Sequence, residues 1–306
     1  MEVRIVSLSA WGTQVLLDLE LDLWIAGCSH DALIIREEAK DVPVVTIPGK
    51  ENLSQEEVMN RNPVMTEILL SPWNVDMKTL RRIRPTHIIT EGMLNVSGLT
   101  VEEAEEILER DGLTGCRLLD IYSMSLEDIY DEIMMIAGAF GVEDRGKTLV
   151  TKCRRQIAKT VKKYGIRRRH PAVGVIKKWP SLQLAGRWVT DMIEMTGGLP
   201  LLFGDDLYIY PDYYFEKSPD IIIAGDPEAS LQENREKIKM LDREKLFSIF
   251  TCETPPLMYV VDGPVFFNRS CTGLNTALKI LGEILKDDPR AQERKGVYWD
   301  AAGRCW

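Results

Sequence analysis

Gly141-Val142-Glu143-Asp144-Arg145-Gly146-Lys147-Thr148 satisfies GxxxxGKT, the pattern of loops whose backbone amides wrap a phosphate while a lysine meets its outer oxygens. That chemistry needs a buried strand just before the loop, and Ile133-Met134-Met135-Ile136 is apolar enough to be one. Yet Leu126, Ile129, Tyr130, Ile133, Ala137 and Phe140 recur at helical spacing behind Ser125 and Asp128, which form a capping box. Glu143 and Asp144 would also confront a triphosphate with two negative charges. The spacing predicts a helix–turn–helix joint, with an ATP-dependent enzyme working through Lys147 and Thr148 as the alternative.

A second constellation gathers at the ends of predicted strands. The first half delivers Ser9 and Trp11, Ser29 and His30, and Glu91 with Asn95. The second half delivers Trp179, Arg187 and Trp188, then Phe266, Phe267 and Asn268. Aromatics with a few polar groups suit a broad, partly apolar ligand better than a concentrated anion. Each residue has a structural alternative: Trp188 packing on a sheet, a phenylalanine of the Phe266–Phe267 pair in a core, His30 hydrogen-bonded in a loop. His30 is the one candidate axial ligand to a metal, and no protein-built metal site is expected, because histidine binds bare metal only in company. GxGxxG, HExxH and GxSxG are all absent, so no enzyme is expected. Chemistry on a bound ligand would fall to His30 and Glu91, and an interaction scaffold with a side-chain-filled cleft is a third reading.

The elements that position these residues alternate between strand and helix. Val3–Leu8, Leu23–Gly27, Val42–Thr46, Thr86–Thr90 and Arg117–Ile121 read as strands of the first half. A loop, residues 9–13, is expected before a helix at Gln14–Leu21, and Thr100–Arg110 is a capped helix stopped by Gly112. Ser54-Gln55-Glu56-Glu57 reads as a further capping box. Glu143–Tyr164 carries acids first and bases last, as the helix dipole favours, and would run roughly 33 Å. Beyond it, Ala172–Lys177, Ile221–Ala224 and Met258–Val261 read as strands. Val189–Thr196, Lys245–Phe250 and Gly273–Leu285 read as helices, and residues 262–269 as a loop. The fold class is α/β with mostly parallel sheets, and ligands of such folds sit beyond the carboxyl ends of strands. The predicted division is an N-terminal α/β lobe over 1–141, a linking helix over 142–169 and a C-terminal α/β lobe over 170–306.

With 306 residues, the chain has room for two domains, and a net charge of −9 makes a nucleic-acid partner unexpected. Arg167-Arg168-Arg169-His170 reads as a solvated hinge. No stretch approaches the ~20 apolar residues of a membrane span. Met1-Glu2-Val3-Arg4 passes directly into an apolar strand without a leader, giving the expectation of a cytoplasmic protein, or an extracytoplasmic one if a leader was removed. The six cysteines (Cys28, Cys116, Cys153, Cys252, Cys271, Cys305) show no CxxC and read as reduced, mostly buried thiols. Trp299 and Cys305-Trp306 read as a tail with exposed tryptophans, packed on a neighbouring subunit of a homo-oligomer or back onto the second lobe.

Six short segments, ordered along both halves, carry a resemblance. They are Arg4-Ile5-Val6-Ser7-Leu8-Ser9, Ile25-Ala26-Gly27-Cys28-Ser29-His30, Arg84-Pro85-Thr86-His87-Ile88-Ile89-Thr90, Leu184-Ala185-Gly186-Arg187-Trp188-Val189, Met195-Thr196-Gly197-Gly198 and Phe267-Asn268-Arg269. The chain resembles the helical-backbone (class III, TroA-like) solute-binding proteins of ABC importers, and within them the cobalamin-binding branch. The resemblance implies two Rossmann-like lobes joined by a rigid helix, and a ligand between them flanked by aromatics. The implied ligand is a corrinoid, with haem or an iron–siderophore as the alternative; no cofactor is required. Three departures stand against it. Ala32 follows Asp31 where the branch carries a cysteine, and Leu94 and Ser97 stand where it carries others. Finally, the acidic residues by which such proteins dock on a permease fall near Lys78 and Asp212, and Lys78 has the wrong sign.

Overall fold

The computed structural model describes residues 2–34, 42–46, 69–70, 74–164, 170–179, 182–208, 218–250, 254–286 and 292–304. The Ser54 capping box, Trp73, Arg167–Arg169, Asp212, Cys252 and Cys305-Trp306 lie outside these residues. The chain divides into two compact units, one of Met1–Tyr122 with Glu132–Lys147, the other of Ser123–Asp131 with Thr148–Trp306.

In the first unit, β1 (Ile5–Ser7) leads to helix α1 (Ala10–Asp18), followed by β2 (Ile25–Cys28), α2 (Met77–Ile83) and β3 (His87–Glu91). Then come α3 (Met93–Ser97), α4 (Val101–Arg110) and β4 (Arg117–Ile121). The four strands form one sheet in the order β2-β1-β3-β4. Every pairing in it is parallel. Three expectations need correction. Residues 9–13 are not a loop: Ser9 is the N-cap and the helix starts at Ala10, because the Ser9 hydroxyl takes the Gly12 N–H that a loop would leave to water. Among the described residues, Val42–Thr46 makes isolated bridges rather than a strand, Cys28 with Val44 and Thr46 with Val75. β2 starts at Ile25, since Asp22–Trp24 is a 3-10 turn.

Helices α5 (Leu126–Ala139) and α6 (Glu143–Tyr164) follow, and the boundary between the units falls within both. Ile133–Ile136 is therefore helix, and Gly146, Lys147 and Thr148 lie inside α6. Gly141, at φ +68°, makes the turn between the two helices. Gly146 has a packing role: a Cβ there would stand 2.7 Å from Ala137 Cβ and 3.1 Å from Met134 Sδ. The glycine of the GxxxxGKT match thus lets one helix close on the other, and Lys147 Nζ turns 3.1 Å to Asp144 Oδ1 on its own helix.

The second unit continues with β5 (Ala172–Lys178), β6 (Gln183–Leu184), α7 (Trp188–Met195), β7 (Leu199–Pro200), β8 (Leu207–Tyr208) and β9 (Ile221–Ala224). Next are α8 (Leu231–Lys237), α9 (Arg243–Phe250), β10 (Leu257–Val261), α10 (Gly263–Phe266), α11 (Cys271–Lys286) and β11 (Trp299–Arg304). The sheet order is β11-β10-β9-β5-β6-β8, with β7 on β5. Its centre is parallel, β10-β9-β5, and β9 is buried along its whole length, which is why it reads Ile-Ile-Ile-Ala without alternation. Its Ile222 packs in one core with Met258, Val260, Leu246 and Phe250.

Sequence reasoning missed β11 and expected Trp299 to be exposed; of its two alternatives, packing back onto the second unit is the one observed. Trp299 is 1% exposed. Its indole N–H donates to Glu283 Oε2 at 2.9 Å, and its ring meets Tyr259 edge-on at 5.8 Å. Glu283, 0% exposed, also accepts the Arg294 backbone N–H at 3.0 Å and pairs with the Arg294 guanidinium. A tryptophan flanked by polar residues is thus drawn back onto its own unit by a buried carboxylate. The loop expected over 262–269 contains the short helix α10, capped by Asp262 Oδ1 on the Val265 N–H at 3.1 Å.

Two stability measurements follow. Gly146→Ala forces a methyl group into the α5–α6 contact and is expected to cost about 1–3 kcal/mol in chemical denaturation. Lys147→Ala is expected to change little, and equal losses would return Lys147 to the discussion as a structural or ligand-bound residue. Glu283→Ala strands Arg294 and Trp299 and is expected to cost about 3–5 kcal/mol; a loss below ~1 kcal/mol would mean that water replaces the carboxylate.

Candidate functional site

At the carboxyl rim of the first sheet, Ser9 follows β1, Ser29 and His30 follow β2, and Glu91 ends β3. Ser9 Oγ donates to Glu91 Oε2 at 2.8 Å, so the cap of α1 and the end of β3 are one hydrogen-bonded unit. Asn95 is exposed on α3. That helix is held by Asp120, whose carboxylate accepts the Met93 and Leu94 N–H groups, each at 2.9 Å, and the Thr90 hydroxyl at 2.6 Å. Trp11 is buried, and its indole N–H donates to Glu132 Oε2 at 2.7 Å.

His30 is exposed, in a 3-10 turn spanning His30–Ile34. Its Nδ1 lies 2.7 Å from Thr46 Oγ1, and its backbone N–H donates to the same oxygen at 2.8 Å. Thr46 was missed by sequence reasoning, since nothing in a single chain signals a partner sixteen residues away. Cys28, next to this turn, is buried and free. Burial first, and the Asp31 carboxylate second, push its thiol up to about 11, so it stays protonated near neutral pH.

The rim of the second unit spends its polar groups internally. Asp262 caps α10 and its Oδ2 accepts the Leu231 N–H at the start of α8 at 3.0 Å. The fully buried Asn234 amide donates to Ala229 O at 2.8 Å and Val261 O at 3.0 Å, and accepts from the Asp226 N–H. Asp226 also holds Lys237 Nζ at 2.6 Å. Trp179 is half-buried and donates to Lys237 O at 2.9 Å. Asn268 Oδ1 accepts the Ser270 N–H at 2.8 Å. Phe266 is wholly buried, while Phe267 is half-buried and meets it edge-on at 5.1 Å.

Arg187 and Trp188 enter α7 through an unusual turn. Arg187 sits at φ +54°, ψ −141°, a conformation that costs a side-chain-bearing residue of order 1–3 kcal/mol. Its N–H donates to Gly204 O at 2.5 Å, and the Gly186 N–H donates to Asp206 Oδ1 at 2.9 Å. Gly186 is required because a Cβ would run into the carbonyl oxygens of Gly204 and Asp205. The Arg187 guanidinium is mostly buried, with Nε 3.8 Å from Asp205 Oδ1, and Trp188 is buried. The structure therefore puts Trp11, Trp188 and Phe266 in the interior, and leaves His30 and Asn95 exposed with Glu91, Trp179, Phe267 and Asn268 half-exposed.

Among the described residues no group of three or more histidine, cysteine, aspartate or glutamate side chains could hold a metal ion. No described helix is long and apolar enough to cross a membrane.

No protein-family model matches the sequence, and no curated protein does. Solved structures do. An ABC transporter substrate-binding protein from Listeria monocytogenes superposes with a TM-score of 0.65 at 16% identity, over 94% of this chain and 100% of that one. S. aureus IsdE, solved in complex with heme, gives 0.63 at 18% identity over 93% and 99%. The periplasmic vitamin B12 binding protein BtuF of Vibrio cholerae gives 0.62 at 12% identity over 95% and 98%. Across nearly its whole length, the chain shares the fold of these three binding proteins.

Proposed function

We propose that this chain is a non-catalytic binding protein for a metal chelate, with a corrinoid as the first candidate and haem or an iron–siderophore as the alternatives. The observation that carries the reading is the likeness in fold, over more than nine-tenths of the chain, to proteins described as binding heme and vitamin B12. Each rim by itself adds to it: the first unit leaves His30, Glu91 and Asn95 exposed or half-exposed, and the second leaves Trp179, Phe267 and Asn268, hydrogen-bonding groups and ring faces of the kind a broad amphipathic ligand uses. The competing ATP-dependent reading loses its support, because Lys147 and Thr148 lie within a helix rather than in a loop with free amides.

Whether the protein serves a permease turns on charge. Lys78 is exposed in the first turn of α2, beside the capping carboxylate Asp76. At an effective dielectric constant of 20, a lysine where a carboxylate should meet an arginine at 4 Å replaces an attraction of up to ~4 kcal/mol by repulsion. This supports a member that works apart from a permease, and we place it in the cytoplasm.

Titrating the purified protein with cobalamin, haem and a ferric siderophore, by visible absorption and calorimetry, tests the proposal. One of them is expected to bind at one per chain with a micromolar or lower Kd, about −8 kcal/mol or better. No binding of any of the three at high micromolar concentration would overturn it.

A further inference from the structure

We propose that the outer face of α6 is a docking surface for anionic phospholipid headgroups, which holds the protein at a membrane surface without crossing it. This goes beyond the ligand reading and does not depend on it.

The sequence sets the charge. Between Thr148 and Tyr164 stand six lysines and arginines and no aspartate or glutamate, in a chain whose net charge is −9. Arg154 pairs with Glu127 and lies over the Tyr130 ring at 4.6 Å, and Lys163 Nζ lies 3.7 Å from Glu293 Oε1. The other four, Lys152, Arg155, Lys159 and Lys162, are exposed and follow one another at gaps of three, four and three residues. At 3.6 residues per turn, those gaps place the four within an arc of about 80°, as a stripe roughly 15 Å long.

The packing fixes that stripe toward solvent. Cys153, Ile157, Thr160 and Tyr164, on the other side of the helix, are buried. Thr160 Oγ1 lies 2.6 Å from the Asn275 side chain on α11, and a Cβ at Gly282 would stand 2.4 Å from the Tyr164 ring. All these residues belong to the second unit, so the face is built by that unit alone.

The helix dipole favours Lys162 in the last turn, but its reach ends there and does not account for Lys152 and Arg155. Like charges three and four residues apart on a helix repel, and an anionic surface removes that repulsion. A lipid surface needs only cations held within a Debye length of it, about 8 Å at physiological salt, beyond which the chain's negative groups are screened. A protein partner needs an apolar centre to its interface. Apart from the cations, the exposed residues of this stretch are Thr148, Thr151 and Ala158, which offer none.

Co-sedimentation with vesicles of phosphatidylcholine, or of phosphatidylcholine and phosphatidylglycerol in equal parts, tests the proposal. The wild type is expected to sediment with the anionic vesicles at about 0.1 M salt, to leave them at about 1 M, and to ignore the neutral ones. Arg155→Gln with Lys159→Gln is expected to bind the anionic vesicles about thirtyfold more weakly. Arg82→Gln with Lys239→Gln, which removes the same charge from exposed sites elsewhere, is expected to bind as the wild type does; circular dichroism checks that both variants are folded. Equal losses in the two variants would assign the effect to net charge and overturn the docking face. So would binding that survives 1 M salt, or a wild type that stays in solution with anionic vesicles, whether or not it is retained by polyglutamate or duplex DNA.

Discussion

A parallel strand ends by presenting its last polar groups, and the first amides of the helix that follows, at one rim of the sheet. These groups must be satisfied before the rim can offer anything to a ligand. The two units meet this constraint with different side chains. In the first, Ser9 caps α1 and ties it to Glu91 at the end of β3, while Asp120 holds the amides that open α3. In the second, Asp262 takes amides of two helices, and the buried Asn234 answers the carbonyls of Ala229 and Val261. What remains open at the rims follows from what this local bonding leaves over.

The same accounting explains how far the sequence could be read. Glu143–Tyr164 and Ile221–Ala224 were legible to the residue, the first from its uninterrupted helical spacing, the second because a strand buried on both faces is apolar throughout. β11 was not legible, since Trp299–Arg304 has no alternation, and its strand exists through pairing with β10 and the hold of Glu283 on Trp299. The start of α1 was misread because Gly12 and Thr13 suggest a loop, whereas the Ser9 hydroxyl makes them the first turn of a helix. Val42–Thr46 has the composition of a strand but, among the described residues, bridges its neighbours singly.

For the site, a list of residues near strand ends did not by itself separate interior side chains from exposed ones. Trp188 and Phe266 take the interior alternative that the sequence left open for them, and Trp11 is interior as well. The GxxxxGKT match shows the converse: its Gly146 is explained by contact with Ala137 and Met134, a cause no one-dimensional pattern reports. Nor could the chain announce that Thr46 orients His30, because the pairing comes from a bridge that brings Val44 beside Cys28. The features that bear on ligand choice are long-range, and those that built the fold are local.

The most direct measurement of the central claim is native mass spectrometry of the protein equilibrated with an equimolar panel of haem, aquocobalamin, a ferric siderophore and ATP. The account predicts one added mass per chain, that of one of the three metal chelates, lost on denaturation without chemical change. An adduct of ATP, or no adduct from the panel, would contradict it.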